Sequence, residues 1–367
     1  MKAAVLRSVG ADLLIEDVAI AEPRDREVLV RIMATGVCSS DLSTIRGKTG
    51  AQLPLIPGHE AAGIVERVGA GVSRVKAGDR VVLSWAPNCG HCFYCNESHP
   101  TLCDTYGAAA GAGALWDGTS RLGPAAQPIG HYSCVSSFAE LAVVPETGCI
   151  IIPDDVPFAV AALVGCAVTT GFGAVVNDAR IKAGQSIVVV GVGGVGLNAI
   201  QAAALAGAET IIAVDTNPAK TEVAISYGAT HFVSAAELDA VDQVKALTGG
   251  RGVDAAIECT GHPVAMGNAY AMTRPAGTVV IVGIAPIGVN FAIPAISFPG
   301  SKKRIIGSIY GGGVPEQDIK SILALYRRGK LPLDRQIGKR IALDQVNEAF
   351  RWLETGVMAR TIIEFGA

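Results

Sequence analysis

The chain has 367 residues, 50% of them hydrophobic and 17% charged, and its 30 basic residues stand against 33 acidic ones for a net charge of -3. That length predicts two or three domains, the composition excludes a disordered chain, and the charge offers no basic excess for nucleic acid or an anionic membrane. A mean hydropathy of +0.40 raises the question of a membrane. Yet apolar runs such as 187–190 and 279–282 are short and stop at glycine, below the roughly 18 residues of a spanning helix. Residues 1–6 read as a strand with no export pattern, so a cytoplasmic location is expected.

The N-terminal half is predicted to be β-rich and barrel-like. Short alternating runs at 27–32, 61–68 and 80–83 are separated by Gly and Pro turns. Between them lie Cys38, in Thr-Gly-Val-Cys-Ser-Ser-Asp, and His59, in Pro-Gly-His-Glu; Cys166 follows later, in Val-Gly-Cys-Ala. Small residues flank each of the three, and Asp41 and Glu60 stand close by in sequence. Two thiolates and one imidazole leave a fourth tetrahedral position open, which distinguishes a catalytic zinc site from a structural one. A ligating histidine normally gives its second N–H to a carboxylate, and Asp41 is the candidate for His59.

Nine cysteines, an odd number, in a chain without an export signal favour metal or redox chemistry over disulfides. Four of them, Cys89, Cys92, Cys95 and Cys103, fall within 15 residues among turn formers. Two-residue gaps let successive thiolates converge, and four thiolates close a tetrahedral structural zinc site. An iron–sulfur cluster also takes four cysteines, but the surrounding pattern favours zinc. Residues 107–130 then form a long Gly/Ala/Pro-rich stretch with few strand or helix cues, read as a functional loop. Cys134, Cys149 and Cys259 read as small buried hydrophobes.

Residues 186–191 read as a buried parallel strand, followed by Gly191-Val-Gly193-Gly194-Val195-Gly196, a helical pattern from 197 to about 206, and a second strand ending at Asp215. The glycines allow a tight turn, approach of backbone to a pyrophosphate and close helix packing. Asp215 falls where an acid binds the ribose 2′-hydroxyl, so NAD is expected rather than NADP. Further strands at 255–258 and 278–283, with helices between, predict a doubly wound parallel sheet. Residues 360–365 are strand-like and are expected to return to the N-terminal domain.

Taken together, these residues resemble the zinc-dependent medium-chain alcohol dehydrogenases over the whole chain. The resemblance rests on Gly58-His59-Glu60, the four-cysteine lobe, Gly165-Cys166, residues 191–196 with Asp215, and Arg360-Thr361-Ile362. Asp117-Gly-Thr-Ser-Arg121 and Ser137-Phe138 look most like the longer liver-type branch. The resemblance implies an α/β fold: a GroES-like catalytic domain (1–165 and 300–367) with a Rossmann coenzyme domain (166–299), and the active site in the cleft between. It implies catalytic zinc on Cys38, His59 and Cys166 with Glu60 as a transient or nearby ligand, and structural zinc on Cys89, Cys92, Cys95 and Cys103. It implies Ser40 as the hydroxyl taking the alcohol proton, Thr170 against the nicotinamide, Lys220 beside Asp215 at the adenosine ribose, and Arg360 near the coenzyme phosphates and Glu60.

Two departures stand out. Ser39 occupies a position where relatives carry Arg or His on the pyrophosphate, and Ser43 stands where the relay usually ends on a histidine. Gly107 replaces the arginine with which glutathione-dependent formaldehyde dehydrogenases bind an anionic substrate. Pocket candidates by resemblance are Trp85, Tyr132, Thr49 and Ser40, whose large aromatic members suit an apolar or aromatic primary alcohol. The expectation is therefore an NAD-dependent alcohol dehydrogenase with two zinc ions per chain, acting on a small alcohol or aldehyde. It would be a homodimer joined near 305–309, or a tetramer as in other branches. The alternatives are a thiol-adduct formaldehyde dehydrogenase and, from a different class, a non-catalytic NAD-binding protein.

Overall fold

A computed structural model describes residues 1–236, 239–356 and 360–366. The chain divides into two compact units, Met1–Ala167 with Val314–Ala367, and Val168–Gly313. The second unit runs to 313, not 299, because the strand Arg304–Gly307 pairs parallel with Thr273–Ile281.

The first unit is built around one long strand, Glu27–Gly36. It pairs antiparallel with Ala61–Val68, with Leu141–Pro145 and, at its far end, with Arg360–Glu364. Its valines, isoleucine and alanine are buried, because both faces are covered. The returning C-terminal strand joins this seven-stranded sheet between Glu27–Gly36 and Ile337–Ile341, as residues 360–365 predict.

The second unit is a six-stranded parallel sheet. In sequence terms the strands run Ser186–Val190 beside Thr210–Asp215 and His231–Ser234 on one side, and beside Val253–Glu258, Thr273–Ile281 and Arg304–Gly307 on the other. This is the doubly wound order, with the reversal at Ser186–Val190. Helix Gly194–Leu205 follows that first strand, starting three residues earlier than the apolar pattern suggests because Gly194 and Gly196 mask its first turn.

Two other readings are corrected. Residues 107–130 do not form a continuous loop, since Asp104–Ala112 is a helix. Its alanines are strong helix formers, and Gly107 and Gly111 hide the pattern. Against the expectation of only short apolar runs, Phe158–Ala179 is one helical run of 22 residues, long and apolar enough to cross a bilayer. Gly165, Thr169, Thr170, Gly171 and Gly173 break its apolar pattern in the sequence. Its most apolar window is 89% buried inside protein, which is how a core helix sits.

Residues 113–131 are fixed by charge. Arg121 is fully buried and forks onto Glu27, Nε to Oε2 at 2.8 Å and Nη2 to Oε1 at 2.5 Å, with Asp117 Oδ2 at 2.7 Å. Its backbone N–H donates to His131 Nε2 at 3.1 Å. Burial, with the Arg121 charge beside it, pushes His131 down to about 3, so the ring is neutral and can accept that bond. Removing one partner of a buried pair strands the other's charge, at a cost of about 3–5 kcal/mol. Arg121→Leu is therefore expected to lower thermal stability by about 3 kcal/mol, read as a fall in Tm; an unchanged Tm would show that the Glu27 pairing is not structural.

Candidate active site and metal centres

The paired strands Glu27–Gly36 and Ala61–Val68 put Thr35 opposite Ala61, and Gly36 N–H donates to the Glu60 carbonyl. Cys38 therefore leaves one strand beside the point where His59 enters the other. Gly36 is required there: a Cβ at that position would stand 2.0 Å from Glu60 Oε2. Cys166 arrives in the turn Val164–Val168, which is wound i→i+5, a widened turn frequent at functional sites. The metal-binding atoms of Cys38, His59 and Cys166 lie within 4.8 Å of one another, and all three residues are buried.

Asp41 binds this arrangement together. Its carboxylate accepts from His59 Nδ1 at 3.0 Å, Gly58 N–H at 3.0 Å and Cys38 N–H at 3.2 Å. Nε2 is left to face the thiols, which is the orientation a metal-ligating imidazole needs. Burial opposes charge on His59, but Asp41 outweighs it and raises the ring well above the usual histidine range. The adjacent Cys166 sulfur holds Cys38 well below an ordinary thiol, and the same contact with burial holds Cys166 well above. Glu60 is pushed up to about 7 by burial, against the pull of Arg360, with which it forms a buried ion pair. Its other oxygen accepts from Ala167 N–H at 2.9 Å, so Glu60 ties the Cys166 turn to the C-terminal strand. Arg360 is thus committed to Glu60.

The aromatic candidates flank His59. The Tyr132 ring lies 5.6 Å from it and the Trp85 ring 6.5 Å, both edge-on. Tyr106, which the sequence does not single out, lies 6.2 Å from Trp85. Thr49 lies 3.1 Å from Thr44, whose hydroxyl donates to Tyr132 Oη. Ser40 is half-buried and Ser39 exposed at the start of helix Ser39–Ile45.

Cys89, Cys92, Cys95 and Cys103 also gather their sulfurs within 4.8 Å. Cys89 and Cys92 N–H groups donate to Cys103 and Cys89 at 3.3 Å. Burial opposes ionisation of Cys89, but the His91 N–H, Thr105 hydroxyl and Cys92 N–H bring it down to about 6. Burial pushes Cys95 up to about 12. Four sulfurs about 2.3 Å from one ion fit within this spread, so both groups fit zinc.

In the second unit, Gly191 opens the turn and Gly193 caps helix Gly194–Leu205. Gly196 is forced: a Cβ there would stand 1.9 Å from the Gly191 carbonyl oxygen. At Gly193 a Cβ would meet nothing within 4 Å, so the backbone faces open space where a phosphate can approach. Val195 lies in the first turn of the helix. Asp215 accepts from Val192 N–H at 2.8 Å, Asn217 N–H at 3.0 Å and Lys220 Nζ at 2.9 Å. The acid holds the glycine turn as well as its lysine, which spacing alone does not reveal. These residues fit a dinucleotide. Thr170 is buried in helix Thr169–Gly173 of this unit.

Replacing Asp41 with asparagine removes the charge that orients His59. Metal affinity at Cys38/His59/Cys166 is expected to fall about 10–100-fold, as for other partners of ligating histidines, while the four-cysteine lobe keeps its zinc. Zinc counted after a chelator challenge checks this, and equal retention at both sites would contradict it.

Residues 24–154 match the alcohol dehydrogenase GroES-like domain and residues 194–328 the zinc-binding dehydrogenase domain. The chain is 37% identical to an NDMA-dependent alcohol dehydrogenase of Amycolatopsis methanolica, over 100% of this chain and 99% of that protein. It is 37% identical to the class-3 alcohol dehydrogenase of Cereibacter sphaeroides, over 99% of each chain. The crystal structure of benzyl alcohol dehydrogenase from Acinetobacter calcoaceticus matches with a TM-score of 0.94 at 33% identity, over 100% of this chain and 99% of that one. The chain therefore belongs to the zinc-dependent medium-chain alcohol dehydrogenases, enzymes that interconvert alcohols and aldehydes.

Proposed function

We propose that this enzyme oxidises apolar or aromatic primary alcohols with NAD, using zinc at Cys38, His59 and Cys166 and a second, structural zinc on the four-cysteine lobe. The observation that carries the reading is the buried Cys38–His59–Cys166 group with Trp85 and Tyr132 edge-on to His59. When bound, zinc supplies Lewis acidity and the nicotinamide supplies a hydride acceptor. The chain supplies the rest. Ser40 would relay the hydroxyl proton, accepting it while passing its own hydroxyl proton to water, since Ser43 cannot hold it. Asp41 fixes His59, and Glu60 with Arg360 places a carboxylate behind the thiols without adding net charge. The aromatic rings give the alcohol an apolar wall.

A thiol-adduct substrate is disfavoured. Gly107 lies exposed on helix Asp104–Ala112, its Cβ position open, and supplies no cation for a carboxylate. The benzyl alcohol dehydrogenase likeness supports an aromatic substrate. For the coenzyme, the Asp215 carboxylate beside Lys220 repels a 2′-phosphate. Because one relative is named NDMA-dependent, the acceptor is best tested directly. Benzyl alcohol with NAD is expected to turn over faster than with NADP, and Asp215→Gly to narrow the difference. Equal use of both coenzymes by the unaltered enzyme would overturn the assignment.

The partner we infer is a second copy, in the cytoplasm. Arg304–Gly307 is the outermost strand of its sheet, Ile305 and Ile306 on it are only half-buried, and Ile309 just after it is exposed. An open apolar edge of this kind invites pairing, and a twofold pairing would cover it. Light scattering is expected to give a dimer, or a tetramer built from dimers; a monodisperse monomer would rule this out.

A further inference from the structure

Tyr132 has a hydroxyl that the wall role leaves unused. It donates to the backbone carbonyl oxygen of Ser40 at 3.2 Å and accepts from Thr44 Oγ1 at 3.1 Å. Thr44 Oγ1 in turn lies 3.1 Å from Thr49 Oγ1. With its donor and one acceptor site so engaged, the hydroxyl points at the helix bearing Ser40, and the ring alone faces His59.

The backbone around Tyr132 is held at a cost. Ser133, Cys134 and Ser136 have φ of 52°, 55° and 55°, the left-handed region that strains a non-glycine residue. Such strain persists only where the surroundings over-determine it. Here Tyr132 N–H donates to Ser136 Oγ at 2.8 Å, Ser137 N–H to the Gly58 carbonyl at 2.9 Å, and Ser137 Oγ meets Thr35 Oγ1 at 2.7 Å. The strained turn is therefore clamped to the strand end that carries Cys38 and to the residue before His59.

We propose that Tyr132 is a positioning residue: through the Thr49–Thr44–Tyr132 hydroxyl chain it fixes the Ser40 backbone and so aims the hydroxyl that takes the alcohol proton. This rests on the assignment of Ser40 as that proton acceptor. A displacement of about 1 Å at a reacting group can cost a hundredfold in rate, so one hydrogen bond to the Ser40 carbonyl has leverage on turnover. It has little on binding, because the ring that contacts the alcohol is unchanged in a phenylalanine.

The test uses the zinc-loaded full chain with benzyl alcohol and NAD. Tyr132→Phe is expected to lower kcat about tenfold while KM stays within about twofold, with zinc content unchanged and a larger solvent deuterium isotope effect on kcat. Thr44→Val should follow it in kcat, and Thr44→Ser, which keeps the hydroxyl, should restore turnover. This Thr44 pair decides the matter if Tyr132→Phe fails to fold. A raised KM with unchanged kcat in Tyr132→Phe would make the residue a pocket wall only and overturn the proposal. So would a Thr44→Ser enzyme no faster than Thr44→Val. Ser40→Ala separates the two readings. If it abolishes turnover while Tyr132→Phe leaves kcat untouched, only the positioning role falls; if Ser40→Ala keeps full turnover, both fall.

Discussion

The site depends on one strand register. With Thr35 opposite Ala61, Cys38 and His59 emerge at the same end of the same sheet, and the Glu60 carboxylate fills the space that Gly36 leaves open. A slip of one residue would turn every side chain to the opposite face and part the two ligands. The register is pinned on both edges, since Glu27–Gly36 pairs with Ala61–Val68 on one and with Leu141–Pro145 and Arg360–Glu364 on the other. The reactive end of the unit is thus fixed by backbone pairing far longer than the site itself.

Charge is the second constraint. Asp41, Glu60, Arg360, Cys38, His59 and Cys166 are all buried, where an uncompensated charge is costly. Each charge has a partner: Glu60 pairs with Arg360, and Asp41 with the His59 ring. The sulfurs of Cys38 and Cys166 lie side by side, within 4.8 Å of each other. A divalent cation at Cys38, His59 and Cys166 would be held by both sulfurs as thiolates and by the imidazole in its neutral form. Its two positive charges would balance the two thiolates, while Glu60 cancels against Arg360 and Asp41 is held by its hydrogen bonds from His59, Gly58 and Cys38.

The sequence exposed what is local. Four cysteines within 15 residues declare a metal lobe without any tertiary knowledge, and the glycine turn between a strand and a helix declares a phosphate cradle. Asp41 could be named as the His59 partner because it follows Cys38 closely in a turn of small residues. What stayed hidden is made by chain return. Arg121 reaches Glu27 across 94 positions and Tyr132 reaches Thr44 across 88, and no local pattern encodes either. The i→i+5 turn at Cys166 leaves no periodic trace, and the helix at 104–112 was masked by its own glycines. The role of Asp215 in holding Val192 was obscured because an acid at that spacing already had an explanation.

One chain is expected to hold two zinc ions in different coordination, one closed by the four thiolates of Cys89, Cys92, Cys95 and Cys103 and one open on Cys38, His59 and Cys166. Anomalous diffraction at the zinc edge, on crystals of freshly prepared protein, tests it most directly. Two peaks are predicted, one about 2.3 Å from the sulfurs of Cys89, Cys92, Cys95 and Cys103, the other bonded to Cys38, His59 and Cys166 at about 2.0–2.3 Å. A single peak at the four-cysteine lobe, with none at Cys38, His59 and Cys166, would contradict the account.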